Sequence, residues 1–64
     1  MKYPKIKVKL VGKDGNAFAI LGSVATAMRE AKLEESEIKE FRKEATSGDY
    51  NHLLRTCMEW VDVR

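Results

Sequence analysis

Cys57 and His52 are the only cysteine and histidine in the sequence, and a thiolate beside an imidazole is one pairing from which side chains build a nucleophile. Five positions apart, the two project roughly 140° from one another on a helix, so they do not meet there. Cys57 falls instead among Leu53, Leu54, Met58 and Val61 at helical spacing, where a cysteine behaves as a small buried hydrophobe. His52 reads as a surface or boundary side chain. One cysteine and one histidine also exclude an internal disulfide and the ligand set of a structural zinc site within one chain.

Other chemistry-bearing patterns fail on spacing. Gly12-Lys13-Asp14-Gly15 ahead of a helix resembles a phosphate-cradling loop. A Walker-type loop, however, needs more residues between its glycines and a hydroxyl after the lysine, where this chain has Asp14. Asp14 and Asn16 imitate the first two ligands of a calcium loop, but Phe18 and Ala25 stand where oxygen is required. The segment is therefore a turn followed by a helix cap. The glutamates between positions 34 and 44 alternate with lysines at four-residue spacing, as in Glu35 with Lys39, which is the pattern of a solvated helix face. No catalytic residue, cofactor or metal is predicted, and the chain is not expected to be an enzyme.

What remains is a surface. Lys5, Lys7 and Lys9 alternate with Ile6, Val8 and Leu10, so a strand here turns the lysines to one face and the apolar residues to the other. Trp60, near the far end of the sequence, joins that face if the tail is the neighbouring strand. A basic row beside an aromatic ring suits single-stranded nucleic acid, with lysines neutralising phosphates and a base stacking on the ring. The net charge of +2 is small for that role, and lysines on a sheet edge also serve to prevent aggregation. Association with protein through the same sheet, with a half-exposed Trp60 as anchor, is the preferred expectation, and a homodimer extending the sheet across a two-fold axis is its simplest form. The two readings differ in salt response, since phosphate contacts weaken steeply with added salt.

The elements that must position these residues follow from periodicity. Lys5–Val11 reads as a strand. Gly12–Gly15 reads as its closing turn and Asn16 as an N-cap. From Ala17 to Lys32, Phe18, Leu21, Val24, Ala25, Met28 and Ala31 keep helical steps, and Gly22 inside this helix suggests close approach of another backbone. Residues 35–46 form a second helix with Ile38, Phe41 and Ala45 on a narrow apolar stripe, stopped by Gly48. Asp49 caps a third helix over 50–58, in which Tyr50, Leu53, Leu54, Cys57, Met58 and Val61 share a stripe. Glu59–Val63 fits either more helix or a strand. A lone strand is unstable and this tail is its one candidate partner, so the predicted architecture is β-α-α-α-β, a small α+β domain with a two-stranded sheet. Were the tail helical, the first strand would have to pair between chains.

Sixty-four residues make one domain (1–64), close to the lower size at which a core is self-sufficient. No apolar run is long enough to span a bilayer, and the lysine-alternating start is unlike a signal peptide, so no membrane is expected and the expected compartment is the cytoplasm. Charge is uneven. Residues 1–16 hold Lys2, Lys5, Lys7, Lys9 and Lys13 against Asp14, whereas residues 34–48 hold five glutamates against three basic side chains.

Lys7-Val8-Lys9-Leu10-Val11-Gly12, Asp14-Gly15-Asn16-Ala17-Phe18 with Ile20-Leu21-Gly22, Glu44-Ala45 through Ser47-Gly48-Asp49-Tyr50, and Leu53-Leu54 with Trp60-Val61 together resemble a family of short bacterial and phage-borne proteins with no assigned function. The resemblance spans nearly the full length. It implies a complete protein of prokaryotic or mobile-element origin, and it offers no catalytic or binding residues to carry over.

Overall fold

A computed structural model describes residues 2–10 and 15–64. The order is β1 (Tyr3–Val8), α1 (Ala17–Glu30), α2 (Glu35–Ala45), α3 (Tyr50–Trp60) and β2 (Val61–Val63). β1 and β2 form a two-stranded parallel sheet packed on the helices, so the architecture is the predicted β-α-α-α-β, an α+β arrangement. The turn expected over Gly12–Gly15, and the phosphate and calcium readings of Lys13 and Asp14, fall on positions outside the described residues, Gly15 apart.

Each helix start has a local cause. Asn16 Oδ1 accepts from the Ala19 N–H at 2.8 Å, and Asp49 Oδ1 accepts from the His52 N–H at 2.9 Å. Both caps thus satisfy one of the donors that a helix start leaves unpaired. α2 lacks a side-chain cap, but Glu35 and Glu37 lie in its first turn and Arg42 and Lys43 in its last, as the helix dipole favours.

The C-terminal ends are less predictable. α1 closes with Leu33 N–H donating to Met28 C=O (3.1 Å) and Lys32 N–H to Arg29 C=O (2.9 Å), a Schellman arrangement in which Lys32 holds the left-handed position at φ 65°. At the end of α2, Thr46 and Ser47 hydroxyls donate to the Arg42 and Glu44 carbonyls, each at 2.7 Å. Gly48 is needed for another reason than the stop expected of it. A Cβ there would lie 2.8 Å from the His52 ring.

One core holds the chain together, built from Ile6 and Val8 of β1, Ile20, Val24, Ala25 and Met28 of α1, Ile38, Phe41 and Ala45 of α2, Leu53, Cys57 and Trp60 of α3, and Val61. The α2 stripe is the predicted one. The α3 stripe is not: Leu53, Thr56, Cys57 and Trp60 are buried, while Tyr50 and Met58 are exposed. Rotating the helix this way and continuing it two residues past Met58 buries the indole, the largest apolar gain on offer in this segment. The strand then starts at Val61 with no intervening loop, its backbone switching at once to φ −134°, ψ 169°. On α1, Phe18 was expected inside and is 89% exposed, on the rim of a hollow that it shares with Leu21, Gly22, Arg42 and Thr46. Gly22 meets no other backbone; a Cβ built there finds nothing within 4 Å.

Candidate functional site

Lys5, Lys7 and Lys9 are exposed along β1 while Ile6 and Val8 between them are buried, so the alternation does set a basic row on the outer face. Asp62 is the register partner of Lys7 and lies with that row, its carboxylate held by Arg64 at 3.3 Å. Trp60 does not join it. As the last residue of α3 it is 2% exposed, stacked edge-on against Phe41 (centroids 5.6 Å apart, 67° between planes) and tilted against Tyr3 (6.0 Å). Its Nε1–H donates to Glu44 Oε2 at 3.1 Å. The expectation of a half-exposed aromatic plate beside the lysines is therefore corrected: the indole is a core ring. The lysine that covers it is Lys2, outside the predicted row, with Nζ 3.9 Å from the ring centroid.

Tyr3 completes this corner by donating its phenolic O–H to the Glu37 carboxylate. That hydrogen bond, then desolvation, then the charges of Glu37 and Glu40, raise the phenol above its ordinary pKa of 10.0. β1, α2 and α3 are thus tied at one point by one strand residue, one ring and two carboxylates.

Cys57 is fully buried, and burial pushes its thiol up to about 11. His52 does not face it. Its Nε2 lies 2.9 Å from the Glu44 carbonyl, which can only accept, so Nε2 carries the proton and donates to the C-terminal end of α2. Ser47 Oγ is also within 3.1 Å of that nitrogen. Glu35 pairs with Arg29 across the α1–α2 junction at 3.3 Å instead of with Lys39 along its own helix. Among the described residues no three of His, Cys, Asp and Glu converge as a metal site would require, and no helix is long and apolar enough to cross a membrane.

Two surface features were not foreseen. The first is the Phe18 face. The ring stands over a shallow hollow with Leu21, Gly22, Arg42 and Thr46, and Leu21 also lines an adjoining hollow of about 210 Å³ with Ala45, Tyr50 and Leu53. No sequence signal separated Phe18 from the buried stripe, since its spacing is that of a core residue. The second is a groove of about 600 Å³ between Lys7 of β1, with the following Lys9, and the small residues Ala19, Gly22, Ser23 and Thr26 of α1, with Glu30 at the end of that helix also lining it. The run of small side chains was legible, but not that it faces open space.

No family model matches the chain, and no curated protein or solved structure matches it.

Proposed function

We propose that this chain is a non-catalytic accessory domain that works by associating with protein, and that a second copy of itself is the partner held at the Phe18 face. The observation that carries the reading is Phe18, an aromatic side chain 89% exposed on the first turn of α1. Aromatic rings beside pockets are the usual anchors of interfaces. Because Leu21 borders both the hollow beneath Phe18 and the 210 Å³ hollow beside it, a two-fold axis near Leu21 sets each copy's Phe18 into the other's hollow, an isologous and self-limiting contact.

The non-catalytic part of the reading is supported by the two side chains best suited to chemistry. The Cys57 thiol is inside the core with its pKa raised, and the His52 Nε2 is engaged by the backbone of α2. Reproducible turnover on any substrate would overturn it. Weak binding of single-stranded nucleic acid is the second reading, favoured by the exposed Lys5, Lys7 and Lys9 and weakened by the loss of Trp60 as a stacking ring. A cytoplasmic setting and a prokaryotic or phage origin belong to the same proposal.

Sedimentation velocity over a wide concentration range tests the association. The expected result is a concentration-dependent dimer that Phe18→Ser converts to monomer and that added salt leaves intact, as an apolar contact should. A wild-type chain that stays monomeric into the millimolar range, or a Phe18→Ser variant that dimerises equally, overturns the proposal.

A further inference from the structure

The pairing of β1 with β2 uses one edge of β1 and fixes what the other edge presents. Arg64 N–H donates to Val8 C=O at 2.7 Å, and Leu10 N–H donates to Arg64 C=O at 2.8 Å. Peptide groups of successive residues in a strand point to opposite edges, so Val8 and Leu10 face β2 while Lys7 and Lys9 direct their N–H and C=O groups the other way. That outer edge borders the 600 Å³ groove, whose far wall is the small-residue face of α1. With no Cβ at Gly22 and nothing within 4 Å of where one would stand, the wall leaves room for a side chain arriving from outside.

We infer that this edge of β1 is a docking site for an extended acidic peptide segment, added as a third strand with its side chains alternating between the groove and the lysine row. Charge selects this occupant. The ion pairs among the described residues are Arg29–Glu35 and Arg64–Asp62, so Lys5, Lys7 and Lys9 take part in neither; Asp62, the register partner of Lys7, is already held by Arg64, and Glu30, the one carboxylate that lines the groove with Lys7 and Lys9, forms no ion pair with them. A second copy of β1 is a poor occupant, because antiparallel pairing about a two-fold axis sets lysine opposite lysine, and like charges directly opposite destabilise a ladder. Glutamate or aspartate at alternate positions reverses that sign. Main-chain hydrogen bonds supply affinity in strand addition and the alternate side chains supply specificity. The site adjoins the Phe18 face, since Gly22 borders both, but Phe18 itself does not line the groove.

The test is a titration of the isotope-labelled full chain with a synthetic peptide alternating Glu with Val and Thr, read by backbone amide shifts. The matching Lys peptide and an oligothymidylate serve as separate arms. The expected result is saturable shifts of Lys5–Lys9 and of Ala19–Thr26 with the acidic peptide and none with the basic one. Lys5→Glu/Lys7→Glu/Lys9→Glu should weaken the acidic peptide by about tenfold or more and create binding of the basic one. Lys7→Pro removes an outward N–H without touching the β2 ladder, since proline is tolerated on an edge strand. It should abolish binding while the amide spectrum of the core is kept. Phe18→Ser should leave peptide binding unchanged, which separates failure here from failure of the self-association reading. Equal binding of acidic and basic peptides, no shifts with either, or shifts of the same residues by oligothymidylate alone would overturn the inference.

Discussion

Trp60 Nε1 donates to Glu44 Oε2 across 3.1 Å, linking the last residue of α3 to the last turn of α2 at the point where the chain turns into β2. Removing the acceptor leaves an indole N–H unpaired in a ring that is 2% exposed. Glu44→Ala is therefore expected to cost about 1–3 kcal/mol. Trp60→Ala, which also empties the space between Tyr3 and Phe41, should cost about 3–5 kcal/mol and leave so small a domain largely unfolded. Urea denaturation followed by circular dichroism measures both.

Gly48 and His52 form a coupled pair. The ring that supports the end of α2 occupies the place a Cβ at position 48 would take, at 2.8 Å. Gly48→Ala should destabilise by about 1–3 kcal/mol, the usual range for overpacking. His52→Ala keeps the Cβ that would stand 2.9 Å away and should relieve only part of that cost, whereas His52→Gly removes every clashing atom and should relieve most of it; double-mutant cycles read the coupling directly.

Backbone strain and slack can be separated on α1. Lys32 holds φ 65° at the helix end, a conformation that costs a side chain roughly 1–2 kcal/mol and glycine almost nothing. After allowance for the freer unfolded chain, Lys32→Gly should raise stability by about 0.5–1 kcal/mol. Gly22→Ala should raise it by a similar ~0.5–1 kcal/mol, because the new Cβ meets nothing within 4 Å. Thermal melts of the two variants and their combination should show additive gains.

The raised Cys57 pKa makes stability depend on alkaline pH. The unfolded thiol ionises near its ordinary value of 9.0 and the folded one at about 11, so between those values the folded state binds more protons. Stability from this group is complete below pH 9 and falls as pH rises towards 11. Cys57→Ala should flatten that part of the urea midpoint against pH, and in the wild type a thiol reagent should react at the rate of unfolding.

Where the sequence was read correctly, one physical signal governed the outcome. Ile38, Phe41 and Ala45 are a narrow stripe in a charged helix, so their burial had no competitor. Asn16 and Asp49 cap because each immediately precedes a helical run. The tail resolved through the need of β1 for a partner. Reading failed where two arrangements have equal periodicity. Leu53 is followed at helical steps by Cys57 and then by either Met58 or Trp60, and three-dimensional closeness of Tyr3 and Phe41 decides for the indole. Phe18 has core spacing, but periodicity carries no information on how far neighbouring elements reach along a helix. The lysine row was legible in full, whereas the groove behind it depends on where α1 lies.

Parallel pairing of β1 with β2, which sets Tyr3 beside Val61 and, after an irregularity, Lys7 and Val8 beside Asp62 and Val63, also has a meaning in time. During synthesis at roughly 5–20 residues per second, β1 emerges and then waits several seconds, while three helices are made, before its ladder partner exists. Throughout that interval Ile6, Val8 and Leu10 are an apolar strand with both edges open. Lys5, Lys7 and Lys9, set between them, keep nascent copies apart by mutual repulsion.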